Sequence, residues 1–368
     1  MLPFEPVRGV GVFLEDEQGR RVLDFYGGHA VAALGYGHPK LTEALVTQSQ
    51  TLQFQSNVVP MKIRDAAADA LAEFAPAGLD RVFFVNSGAE ANENALKLAL
   101  KLTGRRKVVA IEHGFHGRTA AAAAVTWGAQ KSWYGFPRTP MDVEFVPRDD
   151  CAALESAIDA NTAAVIIEPV QGLAGAYDFS RDFMHCARKA TTAAGAMLIL
   201  DEVQTGMGRL GEAFGADLYD VKPDLLTTAK GLAGGFPAGA VIMTNDIANQ
   251  LGAGDLGTTF GGAPVACAAI VAVISVIQEE GLLAQVRERN QQIARDCLVG
   301  PINGMCGHGF LLGLTSETKA ATLRNELLQK NILTGTSADP FVLRLLPPLV
   351  LESMHVDQLA AALSEISQ

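Results

Sequence analysis

The segment Leu198–Arg209, LILDEVQTGMGR, places two adjacent carboxylates, Asp201 and Glu202, directly after apolar residues typical of a buried strand. Acids and glycines are common in turns, so the simplest interpretation is a turn at the end of a strand. The alternative is that Asp201 faces a bound cation. The segment is compatible with both interpretations, and the rest of the chain has to decide between them.

Seven runs rich in valine, isoleucine and leucine predict strands. They span Arg81–Asn86, Lys107–Glu112, Val143–Pro147, Ala163–Val170, Met197–Val203, Asp224–Lys230 and Gly239–Thr244. Their apolar residues follow one another without polar alternation, which is typical of strands buried on both faces. Helix-type segments separate most of these runs. The pattern therefore predicts an α/β fold with a mostly parallel seven-stranded sheet flanked by helices.

The chain of 368 residues is longer than a typical single domain. We expect a large domain over residues 41–278, which contains the seven strands. A second, weaker alternation of strands and helices predicts a smaller α+β domain over residues 279–368. Residues 1–40 are expected to form an N-terminal segment that packs with this small domain.

Composition argues against nucleic acid and membrane as partners. The formal net charge is −11, and the chain has no cluster of Lys or Arg. The longest apolar run, Ala263–Ile277, is shorter than the ~20 residues that a membrane span requires. The first residues lack the pattern of a secretion signal, and the five cysteines are widely spaced, as expected of free thiols in a reducing compartment. We expect a cytoplasmic protein.

Polar residues follow the predicted strands at their carboxyl ends, where open α/β sheets bind their ligands. These residues are Ser87-Gly88-Ala89, His113 to Arg118, Glu168, Asp201 and Lys230. A helix that begins after Ser87 would offer free N–H groups to a phosphate, although Ser87 and Glu90 also match a capping box. A lysine that ends a buried strand must be paired, extend to the surface or be used covalently.

Together these features indicate one cofactor. A buried carboxylate such as Asp201 can keep a pyridine nitrogen protonated, which makes the ring an electron sink. A phosphate site, this carboxylate and Lys230, in that order along the chain, are what pyridoxal phosphate requires. We therefore predict a pyridoxal-phosphate site at this edge of the sheet.

Seven motifs carry a resemblance to a known family. They are YGGHAV…LGYGHP, NSGAEANENALKLA, FHGRT, EPVQG, DEVQTGMGR, AKGLAGGFP and GTTFGG. In their order and in their residues they resemble the class III, fold type I, pyridoxal-phosphate-dependent aminotransferases, with the acetylornithine aminotransferases as the nearest subgroup. The resemblance extends from Val10 to Leu351 and so covers nearly the whole chain.

The resemblance implies roles in cofactor binding. Lys230 matches the lysine that carries the cofactor and acts as general base and acid, and Asp201 matches the partner of the ring nitrogen. Further positions match cofactor-contacting residues: Ser87, Gly88, Ala89, Phe115, Glu168, Val203 and Gln204. Thr259 matches a residue that reaches the phosphate in the neighbouring subunit, which implies a homodimer with shared active sites.

The resemblance also implies a substrate site formed by Arg118, Arg344, Thr258 and His29. The two arginines would bind carboxylates, although either could instead be an ordinary surface ion pair. The implied reaction transfers the terminal amino group of acetylornithine or succinylornithine to 2-oxoglutarate, giving the semialdehyde and glutamate, as in arginine biosynthesis.

Several alternatives stay open. The amino donor could be ornithine, 4-aminobutyrate, succinyl-diaminopimelate or a simple amine. The chain could also be a pyridoxal-phosphate enzyme other than a transaminase, or a cofactor-binding protein without catalysis. No metal site is expected, because His113 and His116 have no further His or Cys at ligand spacing.

Two positions depart from the family pattern. The acylornithine and ornithine enzymes usually continue EP-x-QG with a glutamate that neutralises the second arginine, and here Leu173 takes its place. His29 stands where relatives carry Tyr or Ile near the mouth of the pocket. Arg344 is therefore expected to lack a carboxylate partner, which affects the choice of amino donor.

Overall fold

The computed structural model describes residues 2–366. The strands are β1 (Arg8–Val10), β2 (Phe13–Glu15), β3 (Arg21–Asp24), β4 (Arg81–Val85), β5 (Lys107–Ile111), β6 (Asp142–Val146), β7 (Thr162–Ile167), β8 (Val170–Gln171), β9 (Tyr177–Asp178), β10 (Met197–Asp201), β11 (Leu225–Thr228), β12 (Gly239–Met243), β13 (Ile302–His308), β14 (Leu311–Ser316), β15 (Ile332–Leu333), β16 (Gly335–Thr336) and β17 (Val342–Leu345).

The helices are α1 (Gly27–Ala30), α2 (Pro39–Thr51), α3 (Lys62–Phe74), α4 (Gly88–Thr103), α5 (Ala120–Ala124), α6 (Ala129–Ser132), α7 (Cys151–Ala157), α8 (Gly172–Gly175), α9 (Arg181–Ala194), α10 (Gly215–Tyr219), α11 (Asn245–Ala248), α12 (Pro264–Glu279), α13 (Leu282–Asp296), α14 (Ala320–Gln329) and α15 (Ser353–Ser364). A short 3₁₀ helix, Lys230–Ala233, follows β11.

Seven strands of the described chain form the central sheet, in the order β4-β12-β11-β10-β7-β5-β6. Strand β12 is antiparallel to both of its neighbours, and the other pairs are parallel. All seven strands coincide with the runs predicted from the sequence. The prediction of a mostly parallel α/β sheet is therefore confirmed.

The two faces of this sheet pack against separate layers of helices. Leu198 and Leu200 of β10 belong to one buried cluster, which also contains Phe183 of α9. Ile199, between them, belongs to a second cluster with Ala95 and Leu96 of α4. Since successive side chains of a strand point to opposite faces, the unbroken apolar run of β10 is what a strand covered on both sides needs.

The N-terminal and C-terminal parts of the chain share a smaller sheet, in the order β1-β2-β3-β15. Strand β15 pairs in parallel with β3, so that Ile332 lies opposite Leu23. Strands β13, β14, β17 and β16 form another sheet, and β8 pairs with β9. The division into residues 1–40, 41–278 and 279–368 stays a prediction.

Within residues 2–366, no single helix is long and apolar enough to cross a membrane. Helices α12 and α13 together reach the required length and composition, but the chain bends by 63° between them.

Candidate functional site

A cavity of about 420 Å³ lies at the carboxyl ends of the central strands. Ten of the residues predicted for the site line it: Ser87, Gly88, Ala89, Phe115, Arg118, Glu168, Asp201, Val203, Gln204 and Lys230. They come from the ends of β4, β5, β7, β10 and β11, which are distant in sequence but adjacent in the sheet. The expectation that these strand ends converge is therefore met.

Lys230 begins the 3₁₀ helix after β11 and is half-buried in the wall of the cavity. Its backbone has a left-handed conformation, with φ of 46°, which is unfavourable for a lysine and is typical of functional positions. Burial lowers the pKa of its amine, although the charges of Asp201 and Glu168 act in the opposite direction. The amine is thus inside the site and does not extend to the surface.

Asp201 ends β10 with its carboxylate fixed by three donors. Oδ2 accepts hydrogen bonds from Asn92 Nδ2 and from His116 Nδ1, each at 2.7 Å, and Oδ1 accepts one from the Val203 amide at 3.1 Å. All of these groups except Val203 are almost completely buried. The carboxylate is therefore held in one orientation against the cavity.

The pKa of His116 reflects two opposing effects. Burial disfavours the charged imidazolium, but the hydrogen bond and the charge of Asp201 outweigh it, so the pKa of His116 is raised. Asp201 and His116 form a buried ion pair at 2.7 Å. Such a pair is hydrogen-bonded on the carboxylate side by Asn92, which limits the cost of burying the charge.

Asn92 was not predicted from the sequence as a site residue. Its amide also donates to the His116 carbonyl at 2.8 Å, and its oxygen accepts from the Thr227 hydroxyl at 2.6 Å. The sequence did contain an indication of this role, because Asn92 is a lone amide on the apolar face that α4 forms with Ala91, Ala95 and Leu96. Buried amides are normally held by hydrogen bonds, which makes such a position a candidate for positioning a neighbour.

Glu202, the second carboxylate of the segment Leu198–Arg209, has a different role from that of Asp201. Glu202 is buried and accepts hydrogen bonds from the Thr205 hydroxyl at 2.6 Å and from the amides of Gly215 and Ala216, each at 2.7 Å. Burial raises its pKa to about 7, although these donors act against the shift. Glu202 therefore fixes the start of α10, while Asp201 faces the cavity.

Glu168, after β7, is a further buried carboxyl group in the wall. Its Oε1 accepts a hydrogen bond from the Phe115 amide at 2.8 Å. Burial raises its pKa to about 7, against the opposing charge of His116. Glu168 thereby fixes the backbone of Phe115, whose ring also lines the cavity.

The start of α4 combines the two roles that the sequence left open. Ser87 Oγ accepts from the Glu90 amide at 3.2 Å and so caps α4, whereas Glu90 accepts from the Asn86 amide at 2.7 Å and not from that of Ser87, so only half of the predicted capping box is formed. A Cβ on Gly88 would lie 2.6 Å from Val203 Cγ1, so this position requires glycine. Helix α4 thus directs its positive end into the cavity, where an anionic group is favoured.

Arg118 is exposed at the edge of the cavity. Its guanidinium lies 4.5 Å from the centre of the Trp133 ring. The described residues give it no carboxylate partner within ion-pair distance. A planar cation in this position can receive a carboxylate from a bound molecule.

Arg344 is buried and lies outside the lining of the cavity. It donates to the Thr336 carbonyl at 2.8 Å, to the Gly172 carbonyl at 3.1 Å and to the Tyr26 hydroxyl at 3.1 Å. The interpretation as a surface ion pair is therefore wrong for Arg344. Neutral acceptors hold the guanidinium, and among the described residues none of its hydrogen-bond partners is a carboxylate.

The remaining predicted residues, His29, Thr258 and Thr259, do not line the cavity. His29 is exposed and its Nδ1 is 2.7 Å from the Tyr26 hydroxyl. Thr258 is half-buried and accepts a hydrogen bond from the Gly261 amide at 3.1 Å, whereas Thr259 is exposed. The structure of this single chain therefore does not bring the two threonines into the cavity.

Metal-type ligands do not converge here. Among residues 2–366, no group of three His, Cys, Asp or Glu side chains is arranged to hold a metal ion. His116 instead pairs with Asp201, and the ring of His113 packs 5.6 Å from that of Trp127.

Comparisons with known proteins agree with one another. The family model described as aminotransferase class-III matches residues 1–367. The acetylornithine aminotransferase of Methanocaldococcus jannaschii is 40% identical over 99% of this chain and 94% of its own. The [LysW]-aminoadipate semialdehyde transaminase of Deinococcus radiodurans is 37% identical over 98% and 85%. The crystal structure of the ornithine aminotransferase from Toxoplasma gondii aligns with a TM-score of 0.93 at 29% identity, over 99% and 90%.

Replacing Asp201 with Asn should lower the pKa of His116. The variant removes the charge that stabilises the imidazolium, so burial then dominates and the pKa should fall below the ordinary histidine value of about 6.5. Titration of the His116 ring by NMR on the purified protein measures it. Asp178→Asn, which removes the partner of His308, is the matched control and should leave His116 unchanged. An unchanged His116 pKa in Asp201→Asn would contradict the assigned pairing.

Proposed function

The chain belongs to the class III aminotransferase family and is a pyridoxal-phosphate-dependent aminotransferase, and on this premise we propose that it transfers the terminal amino group of acetylornithine or succinylornithine to 2-oxoglutarate. The products would be the semialdehyde and glutamate, as in arginine biosynthesis. The observation that carries the choice of amino donor is the buried, positively charged Arg344, whose hydrogen-bond acceptors within residues 2–366 are all neutral.

The cavity has the chemical groups that pyridoxal phosphate needs. The start of α4 at Gly88 and Ala89 would hold the phosphate, Asp201 would meet the ring nitrogen, and Lys230 would bind the cofactor covalently. Phe115 and Val203 supply apolar surface for a flat ring. When bound, the cofactor supplies an electron sink for the carbon that carries the amino group.

Lys230 is proposed as general base and acid. A lowered pKa increases the fraction of its Nζ that is neutral near pH 7, and only the neutral amine can accept a proton. As general base, Nζ would take the proton from the carbon of the amino donor that carries the amino group. As general acid, the same Nζ would then return the proton to an adjacent carbon. Asp201 supports this transfer from a fixed place, because Asn92 and His116 leave its carboxylate little freedom.

The two arginines divide the proposed recognition of the donor. Arg118, at the edge of the cavity, would bind the α-carboxylate. Arg344 keeps its positive charge during the same half-reaction, because Leu173 stands where a neutralising glutamate is usual. An acyl oxygen or carboxylate meets that charge favourably, whereas the free α-ammonium of ornithine is repelled.

We also propose a homodimer with shared active sites. Thr259 is exposed and outside the cavity of its own chain, as a residue that serves a neighbouring subunit would be. Next to it, the rings of Phe54 and Phe260 pair at 5.4 Å, and both are substantially exposed. Exposed apolar groups of this kind favour a protein interface.

Replacing Lys230 with Ala should abolish turnover and covalent cofactor binding. The loss of a general acid–base group alone lowers rates by about 10²–10⁴-fold. Glutamate formation from acetylornithine and 2-oxoglutarate measures the rate, and the cofactor absorbance that remains after gel filtration measures binding. Lys222→Ala, at an exposed lysine, is the control. Full turnover by the Lys230 variant would refute the assignment.

A panel of donors with 2-oxoglutarate should rank acetylornithine and succinylornithine first. Two like charges at ~6 Å in a partly solvated site repel by about 3 kcal/mol, so free ornithine should be ~10²-fold lower in kcat/KM. The panel includes 4-aminobutyrate, succinyl-diaminopimelate and a neutral amine. If ornithine or the neutral amine is preferred, the recognition assigned to Arg118 and Arg344 is wrong. If succinylornithine falls far below acetylornithine, only the role of Arg344 is wrong.

Cofactor retention should depend on assembly. Thr259→Val keeps the size of the side chain but removes its hydroxyl, so the dimer should release cofactor more readily than the parent. Sedimentation, followed at the cofactor absorbance over a dilution series, measures mass and occupancy together. Thr192→Val, at an exposed position of α9, is the matched control. An active monomer with full cofactor occupancy would rule out shared sites.

A further inference from the structure

We infer that His29 is a specificity-determining residue: with Tyr26 and Arg344 it forms a corner of the substrate site that offers only hydrogen-bond donors and selects substrates with a carbonyl or carboxylate at that end. We call these three residues the hydrogen-bond-donor corner, or simply the corner. The inference rests on the proposed function, because it assigns the group that recognises the acyl part of the donor.

The hydrogen-bond-donor corner adjoins the cavity. Gln204, which lines the cavity, donates from Nε2 to the His29 carbonyl at 3.3 Å. Gly172, whose carbonyl accepts from Arg344, approaches the side chain of the same Gln204 so closely that a Cβ would lie 1.8 Å from Oε1. Both ends of the corner are thus connected to one wall of the cavity.

The hydrogen bonds of the corner determine the tautomer of the His29 ring. Arg344 Nη2 can only donate, so the Tyr26 oxygen accepts from it at 3.1 Å. The hydroxyl proton of Tyr26 then has His29 Nδ1, at 2.7 Å, as its acceptor among the described residues. His29 Nδ1 is consequently unprotonated, and the proton of the neutral ring is on Nε2, which is available as a donor.

The charge of the corner comes from Arg344 alone. Burial lowers the pKa of His29, and the charges of Arg344 and Lys230 lower it further, so His29 is neutral near pH 7. A guanidinium has five N–H donors, of which three are used by the neutral acceptors. The corner therefore presents N–H groups and one positive charge, with no acceptor for an ammonium group.

The backbone holds His29 in a defined and unusual position. Residues 27 to 30 all have left-handed conformations, and His29 (φ 66°) and Ala30 (φ 70°) are not glycines. Asp24 Oδ1 fixes the turn through the amides of Tyr26 at 2.7 Å and Gly27 at 2.9 Å. A strained segment whose start is held in this way is suited to presenting one side chain to a ligand.

Tyr26 is fixed equally closely. A Cβ on Gly335 would lie 2.0 Å from Tyr26 Cε2, so the ring packs directly on the backbone of β16. Gly335 is paired with Arg344 across the sheet. The ring therefore has little room to leave Arg344, and His29 is the exposed member of the corner.

Changing His29 to Glu tests the inference in the cofactor-loaded enzyme. The new carboxylate would oppose the charge of Arg344 and offer an acceptor, so kcat/KM should rise about tenfold or more for ornithine and fall for succinylornithine. His29→Gln, which is neutral and keeps an N–H donor, is the matched variant and should retain the preference for acylated donors. Gln18→Glu, on an exposed turn, adds the same charge elsewhere and should leave the preference unchanged.

The outcomes separate the two proposals. If the parent enzyme uses neither acylated ornithine, the proposed function fails. If it uses them, but the ratio of ornithine to succinylornithine is the same in the Glu and Gln variants, only the role of His29 fails.

A second measurement does not depend on either variant being folded or active. In the ¹⁵N-histidine-labelled parent holoenzyme, NMR should show His29 with a protonated Nε2 and an unprotonated Nδ1, and Tyr26→Phe should remove that preference. A parent enzyme with the proton on Nδ1 would overturn the inference.

Discussion

A carboxyl group at the end of a buried strand needs hydrogen-bond donors, and the way Asp201 obtains them organises the rest of the site. Asn92 of α4 and His116, from the loop after β5, both donate to the same oxygen at 2.7 Å. A helix on one face of the sheet and a loop at its edge are thereby tied to β10. Because the groups are almost completely buried, water cannot replace a missing donor, and the arrangement has to be kept as a unit.

The sheet could be predicted from the sequence because burial on both faces leaves an unbroken apolar run, which β7, β10 and β12 contain. Convergence of the strand ends then followed from topology, since parallel strands bring their carboxyl ends to one edge. Asp201 and Lys230 were identifiable for the same reason: each is an ionisable residue directly after a buried run. Local pattern and overall fold agree at these positions.

The partners of these residues could not be predicted in the same way, because they depend on tertiary contacts. Nothing in the neighbourhood of Tyr26 indicates that its hydroxyl meets Arg344, 318 positions further along the chain. The partners of Arg344 are two backbone carbonyls and a phenol, and a carbonyl acceptor leaves no trace in the sequence. Asn92 did leave a trace, as a single amide on an apolar helix face, but the group that it holds became visible only in the fold.

The kind of acceptor that holds the Arg344 guanidinium bears on the choice of substrate. A carboxylate partner would cancel its charge and make the site indifferent to the sign of the group that arrives there. Carbonyl and hydroxyl acceptors satisfy its hydrogen bonds without cancelling the charge, so the electrostatic preference for an electron-rich group remains. His29 adds a neutral donor beside that charge. Under the proposed function, the carboxylate-bearing acceptor and the acylated amino donor would each bring oxygen atoms to the same hydrogen-bond donors, which would not have to change between the two half-reactions.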